Sequence, residues 1–523
     1  MKKTSKAGVK WSFVALILGA TAIALQAGLA PSRAHAQTRA SAGLPNLGDG
    51  EDLSLIAELR LGQRIAREIY RDPDYMDDPV LGDYVQSLWQ PLLASARTRG
   101  ELSPEMDERF AWQPILARDR TVNAFALPGG YMGVHLGLIA LVSSRDELAS
   151  VLGHELSHIT QRHIARASTK QAQQTPLVIA AMILGVLAAR KNADAANAAI
   201  SGSQAVAVQG QLNFSREMER EADRIGFSVM TGAGFDGQGF VSMFDKLQHA
   251  NRINDNGSFP YLRSHPLTTE RIADAQLRVA QGGAPPSTIP QALEPLLMGA
   301  RAKVLADAGA DNLRDWVAQA QSPAALNALP VARQAAALYA GALASMLMKT
   351  PQAAQPMLSR LAALTAQEPE ASRAVGLLSA ELALAQGDAR RALLLLPPVT
   401  SSVGGSRAAL LLTAQAQTQS GQAAQASGLL QPWVATHAND ALAWQHLAAA
   451  FTAQGLPVRA IGADAESRVA QFDYSAAIDR FKAAQGLQRA AGSRTAADNI
   501  EASIIDTRLR QVELLFREQA LQR

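Results

Sequence analysis

Cysteine is absent from all 523 residues. That excludes disulfide scaffolds, thiolate zinc fingers, iron–sulfur clusters and thiol nucleophiles. Any metal site must therefore draw on His, Asp or Glu. Aromatic residues are scarce at 5% and charged residues at 18%, against 48% hydrophobic, with 38 Gly and 24 Pro. Collagen-like and wholly disordered chains are excluded on that composition. Net charge is also small: 49 basic residues stand against 46 acidic ones. Five of the basic residues, Lys2, Lys3, Lys6, Lys10 and Arg33, lie in an acid-free stretch of the first 36, and without it 44 face 46. A general nucleic-acid-binding surface thereby loses its compositional support.

At roughly 150 residues per domain the length suggests two to four units. The first 36 residues read as a secretory signal: a basic start, an apolar run from Trp11 to Leu25, then Ala34-His35-Ala36 before Gln37. Cleavage after Ala36 is expected, with an uncleaved N-terminal anchor as the alternative. Either way the bulk is exported to the periplasm, where a chain without cysteine must rely on packing. Leu177 to Ala189 is a second apolar stretch, well short of the ~20 residues that span a bilayer. A buried helix is the first reading; a lid or an element making peripheral membrane contact is the second.

Apolar residues at helical spacing predict helices over Leu53–Tyr70, Val80–Leu93, Gly137–Val142, Asp146–Ala167, Ser215–Met230 and Gly237–Ala250. Phe110–Ile115 and Val122–Val134 read as strand, with a turn at Leu127-Pro128-Gly129-Gly130. After about residue 290 the sequence turns Ala/Leu/Gln-rich. Gly387, Gly421 and Gly455 recur at a fixed offset, as do Ala380, Ala414 and Ala448, and Ala392, Ala426 and Ala460. Leu396 pairs with Leu430 and Pro398 with Pro432 at the same 34-residue step, the helix–turn–helix period of tetratricopeptide (TPR) repeats. Asp473-Tyr474 reads as a further repeat turn, out of phase with the others.

The strongest motif is His154-Glu155-Leu156-Ser157-His158. On a helix, positions i and i+4 share a face, so two imidazoles can hold one tetrahedral cation. Glu155 stands beside the pair, placed to take a proton from water on the metal. Catalytic zinc needs a third protein ligand and an open position. Glu219 is the best candidate, with Asp223 four residues on to orient a ligating histidine. Read alone, Ser215 to Asp223 is a solvated charged helix; beside the histidine pair it becomes a ligand source, with Glu217 and Glu221 in reserve. His163, five residues past His158, falls about 140° off the ligand face if that helix continues. His35 leaves with the signal, and His135, His249, His437 and His446 have no partner at ligand spacing.

His154–His158, the Ser215–Asp223 stretch and Ser264-His265-Pro266-Leu267 together resemble the gluzincin metallopeptidases related to HtpX and the CAAX-processing proteases. Asn123 to Gly130 is similar to the family's stretch ahead of its zinc helix. The resemblance implies an α+β zincin-like metallopeptidase domain over 50–290, here followed by an all-α TPR solenoid over 291–523. It implies one zinc per chain on His154, His158 and Glu219, with Glu155 as general base and acid. His265 would take the fourth zinc position at rest, and Arg271 would stand near the substrate carbonyl. Asn123, Ala124, Phe125 and Ala126 would form the edge strand that pairs with an extended substrate, since such an edge offers unpaired N–H and C=O groups.

With the signal and the repeats added, the chain resembles periplasmic members of that family concerned with outer-membrane protein quality control. Its expected clients are protein substrates, outer-membrane β-barrel proteins and their assembly machinery, met through the TPR half. A periplasmic chaperone or TPR scaffold with a latched or silent zinc site is the alternative. A membrane-embedded relative that cuts beside lipid is a second rival, opposed by the lack of a second spanning run.

Overall fold

Serine and aspartate set where the helices begin. Ser54, Asp78, Ser103, Ser144 and Ser215 each accept a hydrogen bond from the backbone N–H three residues on, satisfying a donor that the first turn would leave unpaired. The computed structural model describes residues 53–169, 215–253, 259–282, 292–399, 405–490 and 495–521. The signal segment, the lead-in to residue 50, the apolar stretch 177–189 and the Ala/Gly-rich run to Gln211 lie outside the described residues.

The N-terminal half runs α1 (Leu55–Arg71), β1 (Tyr75–Met76), α2 (Pro79–Thr98), α3 (Pro104–Arg109), β2 (Gln113–Ala117), β3 (Ala124–Ala126), β4 (Tyr131–His135), α4 (Leu136–Leu141), α5 (Arg145–Thr160) and α6 (His163–Thr169). Helices α7 (Arg216–Gly232), α8 (Gln238–Ile253), α9 (Tyr261–Ser264) and α10 (Thr269–Gly282) follow. The four strands form one mixed sheet in the order β1-β2-β4-β3. Strand β4 is parallel to β2 and antiparallel to β3, with Phe125 opposite Gly133. Gly133 is needed there, because a Cβ would stand 2.2 Å from the Phe125 ring. The turn between β3 and β4 carries Gly129 and Gly130 at φ 72° and 84°, backbone that favours glycine. Among the strands described, β3 is an edge, and α5 packs beneath it.

One expected helix is two. Instead of continuing from Asp146 to Ala167, α5 stops at Thr160 and Arg162 adopts φ 53° before α6 restarts at His163. The Arg162 guanidinium holds this break: its Nε donates to Glu58 Oε2 at 3.0 Å, a carboxylate buried on α1, and its Nη2 donates to Leu53 O. A distant ion pair has overridden the local propensity to continue the helix.

Beyond Leu293 the described chain is helical. Gly387, Gly421 and Gly455 each follow a helix at φ 78°, 82° and 72°, and the next helices start at Ala389, Ala423 and Pro457, at the same spacing as the glycines. Helices thus come in pairs. Asp473-Tyr474 is out of phase because it opens the helix Tyr474–Ala490, between one pair and the next. An apolar core from Met76 to Ala416 crosses residue 290, so the halves that differ in composition pack as one body.

Acidic side chains at the start of α2 receive the C-terminal half. Asp78 and Glu381 flank Arg301, which is 3% exposed, through contacts of 2.6 to 2.9 Å. Asp83 accepts from Ser406 Oγ, Arg407 N and Ala408 N at 2.6, 3.1 and 3.0 Å, capping the helix Arg407–Gln419. Arg301→Ala would leave two half-buried carboxylates without their buried cation, a loss of up to about 3–5 kcal/mol. A denaturant midpoint unchanged from wild type would refute that account of the junction.

Candidate metal centre

Helix α5 is buried along nearly its whole length, from Glu147 to Thr160. Ser144 and Glu147 fix its start: Ser144 Oγ accepts from Glu147 N, and Glu147 Oε2 accepts from Ser143 N at 2.6 Å. Helix α7 crosses it where two glycines meet. A Cβ on Gly226 would stand 2.9 Å from His154 N and 3.0 Å from the Gly153 carbonyl. Only hydrogen at both places lets the backbones approach this closely. Glu219 and Asp223 lie on the same face of α7 as Gly226, seven and three residues before it, so the crossing delivers both carboxylates to the two histidines.

There His154 Nε2 and His158 Nε2 stand 3.0 Å apart, and Glu219 reaches them at 3.5 and 3.4 Å. His265, just after α9, enters from a third direction: Nδ1 is 2.9 Å from Glu219 Oε1 and 3.3 Å from His154 Nε2. Its Nε2 lies 3.3 Å from Glu155 Oε1, and its ring stacks on Tyr261 at 4.7 Å. These four side chains are buried, each offering a ligand atom, and the atoms lie within 4.8 Å of one another.

The donor set fits zinc. Four donors bound tetrahedrally at the usual Zn–N and Zn–O lengths stand roughly 3.3 Å apart, close to the spacings here. Glu155 Oε1 is buried with no hydrogen bond among the described residues, as expected of an oxygen facing water on a metal ion. Two imidazole Nε2 atoms at 3.0 Å also set lone pair against lone pair unless a proton or cation separates them.

The distal atoms are tied down as well. His154 Nδ1 is 2.9 Å from Asp223 Oδ1. Arg271 grips Asp223 with Nε and Nη2 at 2.6 and 2.8 Å, and its Nη1 lies 2.8 Å from both Pro266 O and Glu219 Oε2. Arg271 is thus 4% exposed, behind the Glu219 carboxylate. Glu155 points its Oε2 the other way, accepting from Ala126 N at 2.8 Å.

Electrostatics follow from this crowding. Burial pushes the Glu155 carboxyl up, partly offset by the histidines beside it. Burial also pushes His158 well down. For His154 burial acts downward too, but hydrogen bonds and charge from Asp223 and Glu219 overcome it and hold the ring up at about 9. Burial opposes ionisation of Glu219, yet the charge of His265 and hydrogen bonds from three histidines hold it well below the usual carboxylate range.

The structure brings His154, Glu155, His158, Glu219, Asp223, His265 and Arg271 into one cluster. Glu217 is exposed and outside it, and His135 lies at the end of β4 against Thr121 and Asp119. Leu127 N and Asn123 O bond to β4, so by alternation Ala124 and Ala126 turn their backbone groups to the outer edge. Sequence reasoning sets His163 aside as off the ligand face and keeps Glu221 only as a reserve ligand. The break at Arg162 swings His163 back so that its Nδ1 meets His158 Nδ1 at 2.9 Å, while its Nε2 lies 3.1 Å from Glu221 Oε2. A helical wheel drawn through residue 163 could not reveal this.

Residues 95–279 match the sequence profile of peptidase family M48. A putative beta-barrel assembly-enhancing protease of Vibrio cholerae is 35% identical over 320 residues, 60% of this chain and 62% of that protein. The beta-barrel assembly-enhancing protease of Escherichia coli is 33% identical over 240 residues, 46% of this chain and 47% of its own. A mitochondrial metalloendopeptidase OMA1 of Arabidopsis thaliana is 28% identical over 251 residues, 47% of either chain. The chain therefore spans about half to three-fifths of the length of these relatives.

Proposed function

We propose, from the peptidase family M48 domain that this chain carries, that it is an exported zinc-dependent endopeptidase of the periplasm. Its substrates on this reading are misassembled outer-membrane or periplasmic proteins, as the name of its beta-barrel assembly-enhancing relatives suggests. The observation that carries the reading is the convergence of His154, His158, Glu219 and His265 on one buried point beside Glu155.

His154, His158 and Glu219 would hold one zinc ion per chain, with Asp223 fixing the His154 ring. When bound, zinc supplies a Lewis acid for the scissile carbonyl and makes water acidic enough to ionise near neutral pH. Glu155 accepts the proton from the attacking water and returns it to the leaving amine. Burial raises its basicity toward the working range, while Ala126 N–H anchors the far oxygen. An extended substrate would add to the outer edge of β3, along Asn123 to Ala126, through the groups that the Ala126 N–H bond to Glu155 leaves open, and so lie over the proton-transfer group. Arg271 acts here through Glu219 and Asp223, which it neutralises in part.

The paired helices of the C-terminal half would form a TPR solenoid presenting clients and assembly machinery to the site. Signal cleavage after Ala36 would release the chain to the periplasm. No helix among the described residues is long and apolar enough to cross a membrane.

A second reading, a chaperone with a latched metal centre, draws on the place of His265, whose Nδ1 stands where a fourth ligand would. Metal analysis of the purified protein together with casein cleavage, with and without a chelator, separates the two. About one zinc per chain and chelator-sensitive cleavage are expected. Zinc without cleavage favours the latched form, and no zinc defeats both.

A further inference from the structure

Helix α6 begins where α5 was expected to continue, and its first side chain, His163, is 0% exposed. We propose that His163 is a positioning residue for the metal centre, a relay that fixes the ring and tautomer of His158 from behind. The proposal rests on His158 being a metal ligand, as in the functional reading above.

The chain of contacts leaves one proton arrangement. His158 must present a bare Nε2 toward Glu219 and His154, so its proton sits on Nδ1. That Nδ1–H points at His163 Nδ1, 2.9 Å away, which must then be the acceptor. The His163 proton is thereby placed on Nε2 and is donated to Glu221 Oε2 at 3.1 Å. Arg166, one turn along α6, donates from Nη1 to the same carboxylate oxygen at 2.8 Å and keeps it charged and oriented. Every link dictates the next, and the line ends in an ion pair at the protein surface.

The two histidine ligands are thus supported differently. His154 leans directly on Asp223, a carboxylate that shares its helix with Glu219. His158 leans on a second imidazole, and the carboxylate comes one residue later, from the outer side of α7. The spacing explains why. His163 reaches His158 Nδ1 because the chain breaks after α5 and returns. The left-handed Arg162, held by the buried Glu58 on α1, makes that return. A ligating imidazole whose distal N–H is held in this way is better oriented and more basic, and losing such a partner costs metal affinity.

The test is the zinc dissociation constant of the full chain, measured by competition with a chromogenic chelator, with the visible spectrum of the cobalt-substituted protein as a second readout. His163→Phe keeps the ring volume but offers no acceptor; its zinc affinity should fall roughly 10–100-fold, and the cobalt bands should shift. His163→Gln restores an acceptor and a donor, and should recover most of the loss, which a packing role alone would not allow. Glu221→Ala, on the accessible side, should weaken binding in the same direction by a smaller factor; it decides the matter if His163→Phe does not fold. Zinc affinity within about twofold of wild type in a folded His163→Phe, or in Glu221→Ala where His163→Phe cannot be made, overturns the relay while leaving the peptidase reading intact. A wild-type chain that binds no zinc overturns both.

Discussion

Glu155→Gln should abolish most peptide cleavage while leaving zinc occupancy near one per chain. General acid–base groups contribute about 10²–10⁴ in rate, and a fall of that size in casein turnover is expected. The geometry makes this substitution unusually clean. Glu155 Oε2 accepts from Ala126 N at 2.8 Å, and the amide oxygen of glutamine can accept the same bond, so strand β3 keeps its place. Only the proton affinity at the other oxygen is lost, the one 3.3 Å from His265 Nε2. Client binding along β3 should therefore persist, and a stable enzyme–client complex should become capturable. Cleavage at the wild-type rate by a zinc-loaded Glu155→Gln would remove Glu155 from the mechanism.

The parts of this arrangement that were legible in the sequence are those set by local spacing. Two histidines four apart must share a helix face, and apolar residues at helical spacing place the starts of the two helices that matter near Asp146 and Ser215. The 34-residue recurrence of Gly387, Gly421 and Gly455 marks a backbone requirement, φ near +80°, that any neighbour in the chain would feel. What stayed hidden depends on partners far away in sequence. Glu219 stands out from Glu217 and Glu221 only by its four-residue step to Asp223; what turns that face of α7 inward, Gly226 meeting Gly153, carries no local mark. The end of α5 is decided by Glu58, about a hundred positions earlier. The sheet order, with β3 outside β4 and β2 parallel to β4, has no local signature either, because short strands pair according to what covers them.

Substitutions along α7 turn that choice of face into a graded result, with Glu219→Gln at its extreme. Glu219 is the only carboxylate among the four converging groups and accepts hydrogen bonds or close contacts from three imidazoles. Glutamine keeps the length and one acceptor but carries no charge to balance a divalent cation. It also places an amide where Arg271 Nη1 stands 2.8 Å from Glu219 Oε2, so the new side chain must turn its nitrogen away from the guanidinium and toward the metal side. Zinc affinity should fall by more than the roughly 10–100-fold typical of losing a supporting partner, and purified protein should arrive essentially metal-free. The fold should survive, because Arg271 retains both bonds to Asp223. Glu221→Gln should fall between, since it reaches the metal only through His163, and exposed Glu217→Gln should match wild type. If Glu219→Gln binds zinc as tightly as Glu217→Gln, the third ligand is elsewhere, and the crossing of α5 and α7 has been given the wrong purpose.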